Sequence, residues 1–143
     1  MIRNDEDLFA YLKALGNAYL INKVGRVDVN GLKKFEIGDK YFFEDLGLRN
    51  CRLGSFLQYE VYVGQKDNQE IDFVALKQGK KVYVQVAYLI SDEKTREREF
   101  GNLMTIQDNY PKYVVSLDEF NRGSDVEGII HLHLADFLKR EVL

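Results

Sequence analysis

The chain has 143 residues, 45% hydrophobic and 30% charged, which suits one good core in an ordinary soluble globular protein. A net charge of -3 and a pI of about 5.4 argue against a dominant polyanion-binding surface. The one cysteine, Cys51, excludes an intramolecular disulfide and a multi-cysteine metal site. With no apolar run long enough to span a bilayer and no signal-peptide pattern, the expected location is cytoplasmic.

Asn4-Asp5-Glu6-Asp7 is a helix start, with capping side chains and negative charge at the positive end of the dipole. Leu8, Leu12, Leu15 and Tyr19 follow on one helical face, and Gly16-Asn17 ends or kinks the helix. Arg26 to Val29 alternates, Asn30-Gly31 signals a hairpin, and Leu32 to Ile37 returns. Lys40 to Glu44 is a further extended segment. A helix followed by such a hairpin looks like the end of a winged helix, although its acidic start would repel DNA phosphates. Asp45 to Asn50, with Gly47 as hinge, reads as a linker. It divides a first unit, 1–50, from a second, 51–143.

Three strands then form a meander. In Gln58 to Val63, Tyr59, Val61 and Val63 share one face, and Glu60 and Tyr62 the other. Gly64 to Gln69 is a polar turn. In Glu70 to Leu76, alternation puts Ile71, Phe73 and Ala75 on one face and Glu70 and Asp72 on the other. The loop Lys77 to Lys81 leads into Val82 to Tyr88, where Val82, Val84, Val86 and Tyr88 oppose Tyr83, Gln85 and Ala87. The apolar faces pack on one core, and the acidic pair lies opposite, beside Gln85 and Ala87.

Ser91-Asp92-Glu93 caps a helix whose first turns are almost wholly charged, and Phe100, Leu103, Met104 and Ile106 supply its apolar contacts. Pro111, the one proline, stops it. Lys112 to Leu117 is a buried strand, and strand, helix and strand fit a right-handed crossover between parallel strands. Asp118 to Gly128 is expected as a loop, Ile129 to Leu132 as a strand, and Ala135 to Val142 as a terminal helix.

An aspartate on one strand, then an acidic or amide residue two positions before a lysine on the next, is the core of the PD-(D/E)XK nuclease pattern. The chain resembles it at Asp72 and Gln85 and departs from it at Ala87, where the lysine would stand. LKALGNAYLINKV, KYFFEDLGLRN, the run from EVYVG through EIDFVAL to VYVQVAY, and FGNLMTIQDNYPKYVVSLDEF together resemble the C-terminal region of a prokaryotic AAA-type ATPase family. That resemblance implies an α/β (α+β) fold: a mixed sheet of PD-(D/E)XK nuclease-like type, preceded by a winged-helix helix and β-hairpin. The ATPase module of the family is missing, since no phosphate-loop motif exists in this chain. The long helix, with an acidic residue, that the family usually has before the first sheet strand is reduced to Ser55-Phe56-Leu57-Gln58.

An active site of this type would bind Mg²⁺ or Mn²⁺ through oxygen ligands. Asp72, Gln85 and Glu70 are the catalytic candidates, and Asp72, Gln85 and Glu60 the metal-ligand candidates. The loss of the lysine at Ala87 and of a carboxylate at Gln85 favours a pseudo-nuclease that works as an interaction or structural module without a cofactor. Metal-dependent phosphodiester hydrolysis and non-cleaving DNA binding through residues 5–37 are the alternatives. Lys77, Lys80 and Lys81 read as a solvated turn, and His131 and His133, on one strand face without a third ligand, as ordinary strand residues. Neither histidine is tied to a serine by the sequence. The apolar helix face of Leu8, Phe9, Leu12 and Leu15 lacks the other helices of a winged helix, which implies a homodimer or another protein partner.

Overall fold

Alternating apolar side chains and tight turns build most of the molecule. The computed structural model describes residues 10, 12–14, 21–31, 40–43, 58–90, 92–119, 123, 125–141 and 143. Its elements run β1 (Ile21–Val24), β2 (Arg26–Asp28), β3 (Lys40–Phe43), β4 (Glu60–Lys66), β5 (Gln69–Lys77), β6 (Lys80–Val86), α1 (Glu93–Met104), β7 (Lys112–Ser116), β8 (Asp125–Val126), β9 (Ile129–His133) and α2 (Leu134–Lys139). This is a mixed α+β chain. β1 and β3 pair antiparallel as a small sheet, and seven strands form a mixed sheet in the order β2-β4-β5-β6-β7-β9-β8.

The meander β4-β5-β6 is antiparallel throughout, as the alternation implies. Its second turn is shorter than the expected loop. Lys77 pairs with Lys80, leaving only Gln78-Gly79, with φ of 50° and 77°. Glu127-Gly128 does the same between β8 and β9, at 52° and 79°. Two residues at positive φ match the right-handed twist of the flanking strands, which is why a glycine sits second in each. The first expected turn also narrows, because β4 continues through Gly64 to Lys66.

After β6 the chain crosses over through α1 and returns as β7, parallel to β6. The Asp92 carboxylate caps α1, accepting from the Thr95 backbone N–H at 2.8 Å. β9 adds parallel to β7, and β8, in a stretch expected to be loop, pairs back on β9. The short β2 joins the same sheet at its other edge, parallel to β4, although its residues fall in the first expected unit.

Both faces of the sheet are buried. Phe73, Ala75, Val82, Val84, Tyr113, Val115 and Leu132 pack with Phe137 of α2 on one side. On the other, Ile71, Val74, Tyr83, Val114 and Ile129 pack with Phe100 and Leu103 of α1. The expectation of one core with an open polar face is therefore corrected. A crossover helix must cover a face, and here it covers the one holding Gln85.

Of the N-terminal helix, Ala10 and Leu12 to Ala14 are helical. Its cap at Asn4 to Asp7, Leu8, Phe9, Leu15, Gly16 and Tyr19 lie outside the described residues, as do the returning strand Leu32–Ile37, the linker Asp45–Asn50, Cys51 and the Ser55–Leu57 stretch.

Candidate functional site

The hairpin that should hold a nuclease-like site contains an irregularity. Tyr62 pairs with Val74 and Gly64 with Ile71, so β5 takes three steps where β4 takes two. One extra residue in β5 is a β-bulge, and it breaks the alternation. Ile71 and Val74 consequently face α1 together, while Phe73 and Ala75 face α2. The expectation that Ile71 shares a face with Phe73 and Ala75 is corrected by this bulge. Space on β4 is made by Gly64: a side-chain methyl at this position would lie 2.6 Å from Val74 Cγ2 and 2.9 Å from Ile71 Cβ.

Asp72 and Gln85 meet where the β5–β6 ladder ends, one residue beyond the Phe73–Val84 pair. The Asp72 backbone N–H donates to Gln85 Oε1 at 3.2 Å, and the Val86 backbone N–H donates to Asp72 Oδ2 at 2.9 Å. Side chains thus satisfy backbone groups that the bulge removes from the ladder. Gln85 is buried and Asp72 half-buried. Burial pushes the Asp72 carboxyl above the ordinary aspartate range; the Val86 N–H opposes this, and the Glu99 charge adds to it.

Glu99 was not singled out from the sequence, where it sits in a charged helical run. In the structure it is 4% exposed on α1, and Arg98 Nε and Nη2 donate to its Oε1 at 2.9 and 2.6 Å. Only the rotation of α1 on the sheet separates it from the solvated charges beside it.

Of the other acidic candidates, Glu60 is not assembled with this pair, whereas the charges of Glu70 and of its partner Lys40 both act on Asp72. Glu60 stands opposite Leu76, four residues along β5 from Asp72, and accepts from the Tyr62 hydroxyl at 2.7 Å. That removes it from the metal-ligand set proposed from the sequence. Glu70 pairs with Gln65 on the strand opposite, and its carboxylate forms ion pairs with Arg26, at 3.0 Å, and with Lys40. Among the described residues no group of three or more His, Cys, Asp or Glu side chains is placed to hold a metal. The donor set Asp72, Gln85 and Glu60 does not fit Mg²⁺ or Mn²⁺: Glu60 is remote and the Gln85 carbonyl serves the backbone. Ala87 spends its N–H on the Val115 carbonyl at 3.0 Å and offers no side-chain charge.

His131 and His133 find partners that no spacing rule shows. Ser116 Oγ lies 2.8 Å from His131 Nε2, and the Asp118 backbone N–H donates to the same Oγ at 3.0 Å. The pairing of Val114 with His131 brings Ser116, two residues on, to the same face. At 2% and 1% exposure Ser116 and His131 are buried, and the pair is a core polar bridge. His133 Nδ1 accepts from the Ala135 N–H at 3.1 Å at the start of α2, leaving Nε2 as its protonated nitrogen, 3.5 Å from Glu119 Oε1.

A second polar cluster lies at the other end of β6. Asp108 accepts from the Tyr83 hydroxyl at 2.7 Å and from the Tyr110 N–H at 3.2 Å, with Lys112 at 3.3 Å and Lys81 at 3.4 Å. Burial works to raise its pKa, but these hydrogen bonds and the Lys112 charge outweigh it and hold the carboxyl below its ordinary value. Burial and the same Asp108 push the Tyr83 hydroxyl far above a normal tyrosine.

An uncharacterized protein of Haemophilus influenzae (strain Rd) is 34% identical over 146 aligned positions, which cover 90% of this chain and 36% of that protein. The chain thus spans well under half the length of the curated relative it matches. No family model matches the chain, and no solved structure matches it.

Proposed function

We propose that this chain is a catalytically silent domain of PD-(D/E)XK nuclease-like topology, related to the C-terminal region of AAA-type ATPases and acting as an interaction module. The hairpin β5–β6 followed by the crossover through α1 to β7 supports the topology. The observation that carries the silent reading is the exchange between Asp72 and Gln85. Both residues of the nuclease pattern spend polar atoms on the backbone at the end of the ladder, and Ala87 replaces the lysine. A match to 36% of a longer relative fits a module of a larger protein. No helix among the described residues is long and apolar enough to cross a membrane, which fits a cytoplasmic setting.

Interaction is supported by apolar surface at the ends of β6 and β7. Val86, Tyr88 and Leu117 are exposed there and line a groove of about 290 Å³ with Leu134 of α2. A second copy of the chain is the occupant proposed, because a homodimer is the commonest closed way to cover such a patch. Light scattering over a dilution series checks it: a dimer mass that falls to a monomer in Leu117→Glu is expected, and a monomer at all concentrations refutes it.

Incubation with supercoiled, linear and single-stranded DNA, with Mg²⁺ or Mn²⁺, tests the silent reading. All substrates are expected to remain intact. Cleavage that disappears in Asp72→Ala would overturn it and restore the metal-dependent nuclease.

A further inference from the structure

We propose that Asn30-Gly31 modifies itself in the folded chain, passing through a cyclic imide to an isoaspartyl linkage, and thereby loosens the β2 edge of the sheet. The site is independent of the nuclease-like hairpin end and of the apolar groove beside β6 and β7.

Both residues lie in the turn after β2, and both are exposed. The Asn30 backbone N–H donates to Asp28 Oδ1 at 2.9 Å, which fixes the start of the turn. Among the described residues the Asn30 side-chain amide has no hydrogen-bond partner, and neither has the Gly31 N–H. Chain neighbours aside, a Cβ at Gly31 would have only Asp28 Oδ2 within 4 Å, at 3.5 Å. The electrophilic amide and the nitrogen that attacks it are thus adjacent, unengaged and open to water, with a carboxylate base beside them.

Three other asparagines show what the reaction needs. Asn102 spends its amide on the Glu70 carbonyl at 3.2 Å. Asn109 is exposed, but the N–H that would attack it, that of Tyr110, donates to Asp108 Oδ1 at 3.2 Å. Asn68 is exposed between β4 and β5, but the next residue, Gln69, is paired with Lys66 in the ladder. Each is also followed by a side chain that crowds the attack, whereas Asn30-Gly31 is the one Asn-Gly dipeptide in the chain.

The atoms balance without any oxidant or second reactant except water. The Gly31 nitrogen attacks Asn30 Cγ; an N–Cγ bond forms, the Cγ–Nδ2 bond breaks, and ammonia leaves with the proton lost from the Gly31 N–H. Water then opens the imide. Opening at Cγ gives aspartate, and opening at the Asn30 backbone carbonyl gives isoaspartate, whose main chain is longer by a methylene. Either product sets a new carboxylate beside that of Asp28, a like-charge contact. The isoaspartyl product also lengthens the chain next to Val29, whose N–H donates to the Gln65 carbonyl at 3.0 Å where the β2–β4 pairing ends. Val29 is 1% exposed in the layer beneath α1, so the added length falls where the edge is held to the core.

The test incubates the full chain at physiological temperature and mildly alkaline pH, once folded and once in urea. The tryptic peptide Val27–Lys33 is followed by mass spectrometry for the exchange of NH₂ for OH, and chromatography separates its isoaspartyl form. The folded chain is expected to react within about threefold of the unfolded rate, because the turn needs no opening. Gly31→Ala, whose methyl fits beside Asp28, should slow the folded reaction at least about tenfold. The aged fraction, isolated by anion exchange, should show faster hydrogen exchange at the Val29 amide. A folded chain that keeps Asn30 while the urea-treated chain loses it, an equal rate in Gly31→Ala, or equal reaction at Asn68 or Asn109 would overturn the self-modification. Unchanged exchange at Val29 would overturn the loosening of β2.

Discussion

The Asp72 backbone N–H donates to Gln85 Oε1, while the Asp72 carboxylate accepts from the N–H of Val86, the next residue on Gln85's strand. The two residues that mark a nuclease-like pattern thereby close the frayed end of their own hairpin. Burial raises the Asp72 pKa, so the sign of its contribution is set. Its favourable effect on folding is complete below the ordinary aspartate pKa and is lost as pH rises through the raised folded value. Asp72→Asn keeps an oxygen for the Val86 N–H and removes a half-buried charge on which the Glu99 charge acts unfavourably. It should equal or exceed the native stability at neutral pH, an advantage that vanishes in acid. Asp72→Ala should cost about 1 kcal/mol through the lost hydrogen bond. Urea denaturation at both pH values decides; a strong loss in Asp72→Asn at neutral pH would refute the account.

Gly64 is required by contact. A Cβ there would meet Val74 Cγ2 at 2.6 Å, Ile71 Cβ at 2.9 Å and Val29 Cγ2 at 3.0 Å, all in the packed layer beneath α1. Gly64→Ala is expected to destabilise the chain by about 1–3 kcal/mol. Chemical denaturation measures this, and a change below a few tenths of that scale would mean that β5 yields around Ile71 and Val74 without cost.

Ser116→Ala removes the hydroxyl that serves both His131 Nε2 and the Asp118 N–H. Two buried polar groups then lose a partner at once, and a loss of about 2 kcal/mol is expected. Ser116→Thr, which keeps the hydroxyl, should recover part of it. Equal losses in the two variants would show that packing, not hydrogen bonding, governs the site.

Tyr83→Phe deletes the hydroxyl on Asp108 while leaving the buried ring, with an expected cost of about 1–2 kcal/mol at neutral pH. The Asp108 pKa is lowered in the folded chain, so its stabilisation is present above the ordinary aspartate value and is lost as pH falls through the folded one. Without the Tyr83 bond that folded value moves back up, and the acid-unfolding midpoint should move up with it. An unchanged midpoint, followed by circular dichroism, would separate Asp108 from acid stability.

Local pattern sufficed for the meander, the helix capped by Asp92 and the parallel return of β7, because alternation, capping and turn residues act over a few positions. The adjacency of Asp72 and Gln85 followed from the same rule. What the pattern missed depends on partners distant in sequence. The bulge that turns Ile71 toward α1 is defined by register against β4, and the burial of Gln85 by the docking of α1. Glu60 and Asp72 are both polar residues on neighbouring strands, yet a register offset of four residues keeps them apart. Ser116 and His131 meet because β7 and β9 pair in parallel, and Lys66 and Lys81 meet one loop because α1 ends between them. Sequence alone determined which residues are polar and which face of a strand each would take in an unbroken ladder; the tertiary structure decided which of them meet, because register and helix docking are set by packing over the whole sheet.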